Sequence, residues 1–170
     1  TVDSRQVISG AMFVAMPGEK VDGHAYVAHA LSRGAACALV QQDMGESLPV
    51  LDLRGGWNTP EAEALGGGFC LRVENTLQAL QQTARFWRDQ MDVQVVGITG
   101  SVGKSTTKEL AAEVLGQRYR TLKNKGNLNN EIGLPLTLLS LTPGHQRAVL
   151  EMGLYVPGEI ALLCELARPL

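Results

Sequence analysis

Aromatic side chains are scarce in this 170-residue chain, at 5% of residues, and no apolar run approaches the about 20 residues that cross a bilayer. The second absence argues against a membrane-inserted protein. An excess of charge is missing too. Fifteen basic residues face 17 acidic ones, for a formal net charge of −2. A protein that holds nucleic acid by its phosphates needs a basic face, so a nucleic-acid partner is not expected. Cysteine is sparse and unpatterned. Cys37, Cys70 and Cys164 are odd in number, far apart, and set among apolar neighbours. Small buried thiols in a reducing cytoplasm fit better than a disulfide or a metal cluster. His24 and His29 are five apart and share no helix face well, so no zinc signature is present. The opening TVDSRQV lacks the apolar core of a secretory leader. It also lacks an initiator methionine, and the chain stops at 168-RPL-170, so it reads as a piece of something longer.

Hydrophobic residues make up 45% of the chain and charged ones 19%, a balance that supports a packed core. The first half reads as a small α/β unit. A strand over 11–16 leads through a turn-rich loop, 17–24, to a helix over about 24–33, capped by Asp22 and ended by Gly34. The run 35-AACALV-40 is a buried strand, so the three elements form a β-α-β unit with parallel strands. Residues 41–68 are polar and glycine-rich and read as a surface loop or insertion. A strand at 69–73 precedes a helix to about residue 90, whose Leu77, Leu80, Ala84, Trp87 and Met91 form a helical stripe suited to core packing. A domain junction falls near 90–92.

The second half opens a new α/β pattern. A strand over 93–98 runs into 97-GITGSVGKST-106, followed by a helix to about Leu115. Strand, glycine-rich turn and helix start together aim backbone N–H groups and the positive end of a helix at an anion. Lys104 adds a mobile cation and Ser105 a hydroxyl suited to Mg²⁺. The strict P-loop spacing requires glycine five residues before Gly103, where Ile98 stands, so this is a variant cradle. A short strand near 118–122, a helix near 132–139 with Pro135 in its first turn, a buried strand at 147–152 and a helix over 158–167 complete the pattern. Alternation of this kind predicts a mostly parallel sheet with its ligands at the carboxyl ends of the strands.

Two further features carry chemistry. Glu151 ends the apolar run 148-AVL-150, and a buried strand has no apolar reason to end in a carboxylate; beside a phosphate cradle, metal binding is the better reading. Asn127, Asn129 and Asn130 crowd four positions, where turn chemistry alone accounts for them. The segment 3-DSR-5 offers an acid, a hydroxyl and a guanidinium, and Arg5 suits a diphosphate or a surface ion pair.

Three motifs resemble the Mur ligases of bacterial cell-wall synthesis: the stretch from DSR to 21-VDGH-24, the loop TGSVGKST, and GNLNNEIGLPLTLL followed by AVLEMG and GEI. The third points to the branch that joins D-alanyl-D-alanine to UDP-N-acetylmuramoyl-tripeptide. The resemblance implies a UDP-substrate-binding domain over 1–91 and the first part of a P-loop-type central ATPase domain over 92–170. It implies ATP and Mg²⁺ as cofactors and a monomeric cytoplasmic enzyme. It puts the ATP phosphates on Thr99, Gly100, Ser101, Val102, Gly103, Lys104, Ser105 and Thr106, with Lys104 catalytic. It puts the metal on Ser105 and Glu151, and the UDP-sugar on Ser4, Arg5, Asn127, Asn129 and Asn130. The family's carbamylated lysine, a later metal-binding histidine and its C-terminal domain are not in these residues, so the chain alone is not expected to complete a ligation. After Glu151, MGLYVPGEI also departs from the family's A-N-H-x-x-G-E-I. The same motifs would suit a nucleotide- or UDP-sugar-binding module without turnover, or a MurE-like ligase.

Overall fold

The computed structural model describes residues 1–18, 21–55 and 67–170. The chain divides into two compact units, Thr1–Ala79 and Leu80–Leu170.

The first unit is built on a parallel sheet of order β1-β2-β4-β3, from β1 (Met12–Val14), β2 (Cys37–Val40), β3 (Val50–Asp52) and β4 (Phe69–Arg72). A β-α-β crossover explains the parallel β1–β2 pair. Its helix starts as a 3₁₀ turn, Gly23–Tyr26, capped by the Asp22 carboxylate, and continues as α1 (Val27–Ser32). Gly34, at φ +95°, then turns the chain in a conformation that costs glycine little. Phe13, Val27, Ala30, Ala38, Val40 and Cys70 form the core. The expectation of a structureless stretch at 41–68 is corrected by β3, which pairs in parallel with β4. Its three residues are too short to show a period, and only Leu51 is buried. Residues 56–66 of that stretch lie outside the described residues.

Helix α2 (Thr76–Asp89) contains the boundary between the units. The second unit holds its later turns, then β5 (Gln94–Ile98), α3 (Lys104–Gly116), β6 (Thr121–Lys123), α4 (Gly133–Leu138), β7 (Arg147–Glu151) and α5 (Glu159–Ala167). The sheet order is β5-β7-β6, all parallel. Central β7 carries Ala148, Val149 and Leu150 fully buried, the continuous apolar run typical of a strand covered on both faces. From the α2 stripe, Leu80 and Ala84 are fully buried, Met91 joins the core of this unit, and Trp87 packs against it. Its indole N–H donates to the Leu141 carbonyl at 2.9 Å.

Two features pin the second unit. The buried Arg88 guanidinium donates to the carbonyls of Ala167, Met91 and Val93 at 2.9–3.0 Å, tying the end of α5 to the start of β5. Gly133 opens α4 against the backbone of the preceding loop. A Cβ there would stand 2.5 Å from Leu128 Cα and 2.7 Å from its carbonyl carbon. Backbone cannot rotate out of the way, so Gly133→Ala is expected to cost about 3 kcal/mol, measured by chemical denaturation.

Candidate active site

The register of the second sheet assembles the site. Ile98, the last residue of β5, pairs with Glu151, the last residue of β7. Two parallel strands therefore end side by side, one releasing the glycine-rich loop and the other presenting a carboxylate to it. Residues 99–103 connect β5 to α3. Gly100 (φ +134°) and Gly103 (φ +84°) occupy backbone conformations that disfavour side chains. No side chain caps α3 at Gly103. The first N–H groups of the helix thus point out of its N-terminus beside the loop, where an anion is favoured. Lys104 reaches back across the loop, its Nζ donating to the Gly100 carbonyl at 2.6 Å. Val102, at 90% exposure, is at the loop's outer edge.

Glu151 is no solvent-facing strand end: it is 3% exposed. Its Oε2 accepts from the Ser105 hydroxyl at 2.8 Å and its Oε1 from the Asn129 amide at 2.8 Å. Asn124 clamps the backbone beneath it, its Oδ1 accepting from Glu151 N–H and its amide donating to Glu151 O, both at 2.9 Å. That amide also donates to the Leu128 carbonyl at 2.8 Å, so one asparagine fixes the loop to the strand. Lys108, one turn beyond Lys104 and buried, lies 4.0 Å from Glu151 Oε2.

A magnesium ion suits this donor set. The carboxylate and the hydroxyl are hard oxygen donors, held together beside the glycine-rich loop. Among the described residues, no three His, Cys, Asp or Glu side chains form a metal cage. Mg²⁺ is commonly held by one or two carboxylates plus the phosphates of its substrate, and this arrangement matches that habit.

The asparagines divide by task. Asn127 is exposed, Asn129 is buried against Glu151, and the Asn130 carboxamide accepts from the N–H groups of Ile132 and Gly133 at the start of α4. Sequence reasoning singled out these three but missed Asn124 and Lys108. The one available signal was a polar residue of each type close to a candidate ligand. What gives them a role is β6 and α3 flanking β7, which local spacing does not reveal.

In the first unit, Asp3 caps a 3₁₀ turn, Ser4–Gln6, and holds Arg5 through two side-chain hydrogen bonds of 2.9 Å. Arg5 remains 84% exposed at its side chain. Ser4 is buried, its hydroxyl 3.1 Å from His29 Nδ1. Buried His24 is locked at both ring nitrogens, by Asp22 Oδ1 at 2.6 Å and by the Gln41 N–H at 3.0 Å. The Arg5 side chain and backbone N–H hold the Asp3 carboxyl down at about 2, from an ordinary 3.8. A depressed carboxyl stabilises the fold above the unfolded value and loses that contribution as pH falls from about 3.8 through about 2. In Arg5→Ala, carboxyl NMR is expected to show Asp3 titrating closer to 3.8. An unmoved midpoint would count against the pair.

Known proteins share both halves of this arrangement. The profile described as "Mur ligase family, catalytic domain" matches residues 1–88, and "Mur ligase middle domain" matches residues 98–170. The chain is 40% identical, over 98% of its length, to the UDP-N-acetylmuramoyl-tripeptide–D-alanyl-D-alanine ligase of Synechocystis sp., and 41% identical, also over 98%, to that of Bacillus subtilis. It covers 33% of each, so it spans about a third of the length of these curated relatives. A crystal structure of MurF from Acinetobacter baumannii superposes with a TM-score of 0.82 at 34% identity, over 99% of this chain and 33% of that one. MurF ligase from Thermotoga maritima, solved in complex with ADP, superposes at 0.79 and 34% identity, over 99% of this chain and 35% of that one. With 88 of its residues under one profile of the family and the rest of its fold shared with solved members, the chain belongs to the Mur ligase family.

Proposed function

We propose that this chain provides the UDP-substrate-binding and nucleotide-binding parts of an ATP-dependent amide ligase. The reaction joins D-alanyl-D-alanine to UDP-N-acetylmuramoyl-tripeptide in cytoplasmic peptidoglycan-precursor synthesis. The observation that carries the reading is the pairing of Ser105 with buried Glu151 at the mouth of the residue 99–103 loop. A buried carboxylate held on a phosphate-facing hydroxyl suits a metal–nucleotide site better than a structural one.

The chemistry follows from those groups. A carboxylate oxygen of the tripeptide attacks the γ-phosphorus of ATP, and ADP leaves. The dipeptide amine then attacks the acyl carbon, phosphate leaves with the bonding pair, and the amine gives up a proton. Lys104, the N–H groups of residues 99–106 and the start of α3 oppose the negative charge that builds on the transferred phosphoryl group. Ser105 and Glu151 would hold Mg²⁺, which would supply charge neutralisation to the phosphates when bound. Asn127, Asn129 and Asn130 in one unit, and Ser4 and Arg5 in the other, are the proposed contacts to the UDP-linked substrate. Arg5 would do this with the exposed face of its guanidinium, while the Asn129 amide is held on Glu151. Residues 1–91 and 92–170 are the proposed domains. No helix among the described residues is long and apolar enough to cross a membrane. A monomer is proposed.

Phosphate release by the complete protein tests the reading. With ATP, Mg²⁺ and UDP-tripeptide, sustained release is expected only when D-alanyl-D-alanine is added. Release that ignores the dipeptide would remove the ligase assignment and leave a binding module.

A further inference from the structure

Lys108 is buried in the second unit at 2% exposure, and none of the chemistry above uses it. It sits on α3 one helical turn after Lys104, so the helix that carries the phosphate-facing lysine turns a second lysine inward. Its Nζ donates to the Asn124 carbonyl at 3.0 Å, meets Glu109 Oε1 at 3.1 Å, and stands 4.0 Å from Glu151 Oε2. Glu109 is in turn paired with Lys123 on β6. Charges of alternating sign thus run inward from Lys123 through Glu109 and Lys108 to Glu151, which ends on the Ser105 hydroxyl.

We propose that Lys108 is a positioning residue for the metal–nucleotide site, a buried ammonium that balances Glu151 and pins the Asn124 loop against the end of β7. Among the described residues, the Glu151 carboxylate meets Ser105 and Asn129, which are neutral, and Lys108, which is cationic. A carboxylate at 3% exposure without a counter-charge is costly, and it would leave its place by rotating toward solvent. Lys108 removes that cost before any ligand arrives. It also holds the Asn124 carbonyl while the Asn124 side chain holds both backbone groups of Glu151, so a single ammonium fixes the carboxylate and its platform. The distance of 4.0 Å keeps the ammonium from capping the carboxylate as tightly as Ser105 does, which leaves Glu151 available to a harder cation.

The inference rests on the reading of Ser105 and Glu151 as metal-facing groups, and the test separates the two. Lys108→Met, Glu151→Gln and the double variant are made in the complete protein. Thermal midpoints without ligand and ATP affinity with Mg²⁺ or with EDTA are measured for each. Lys108→Met is expected to lower the midpoint by about 5 °C or more, and by less than half as much in the Glu151→Gln background. It is also expected to weaken ATP binding at least about tenfold with Mg²⁺ and to change it little in EDTA. Folding of the double variant where Lys108→Met alone does not fold supports the proposal equally. An equal loss in both backgrounds, failure of both to fold, or equal weakening with and without Mg²⁺ overturns it. If Glu151→Gln leaves the Mg²⁺ dependence of ATP binding unchanged, the metal reading fails, while the midpoints still decide whether Lys108 acts through Glu151.

Discussion

Lys104→Ala is expected to lower ATP turnover roughly 10²- to 10³-fold while the protein stays folded. Lys104 is the first residue of α3, and alanine is a good helix former there. The side chain is only half-buried and is held by one hydrogen bond among the described residues, to the Gly100 carbonyl, so little stability is lost with it. That bond shows the reach that matters: the ammonium already spans the loop whose N–H groups would surround the phosphates. A point charge on a flexible stem can follow a phosphoryl group as it moves from donor to acceptor, whereas a planar guanidinium has other geometric demands. Lys104→Arg should therefore recover little. Turnover by phosphate release, set against an unchanged thermal midpoint, checks the claim; activity within a few-fold of the parent protein would refute the role.

Glu151→Ala should damage both activity and stability. Removing the carboxylate leaves the Asn129 amide and the Ser105 hydroxyl without their acceptor and Lys108 without its inner partner. Breaking a buried ion pair from one side costs about 3–5 kcal/mol, because the group left behind is already desolvated. Turnover should fall at least roughly 10²-fold as the metal loses its carboxylate. Glu151→Gln separates the effects. Its carboxamide oxygen still accepts one of the two hydrogen bonds, so less stability is lost, yet the charge that attracts Mg²⁺ is gone. Turnover that is equally poor in both variants, with unequal denaturation midpoints, is the expected pattern. Two active variants would reduce Glu151 to a structural residue.

The glycine-rich turn between β5 and α3 is legible in the sequence because its residues are local: Gly100, Gly103, Lys104 and Ser105 lie within six positions, and strand, turn and helix follow each other in the chain. Glu151 stands out in the sequence as a carboxylate closing an apolar strand, and the structure buries it at 3% exposure. Its partners do not stand out, since Asn124 and Lys108 reach it only through the strand order β5-β7-β6, which sets α3 and the end of β6 beside β7. The asparagines show the limit differently. Composition marked Asn129 and Asn130 as turn formers, which describes Asn130 at the start of α4 but not Asn129, which faces a carboxylate. Strand β3 escaped because three residues with one buried side chain carry no period, and only β4 alongside makes them a strand.

The most direct test of a metal–nucleotide site at the ends of β5 and β7 is a crystal structure of the complete protein with a non-hydrolysable ATP analogue and Mn²⁺ in place of Mg²⁺. The anomalous peak is expected between the Ser105 hydroxyl and the Glu151 carboxylate, with the phosphates on the N–H groups of residues 99–106. A nucleotide bound elsewhere, or a metal peak that touches neither Ser105 nor Glu151, would contradict it.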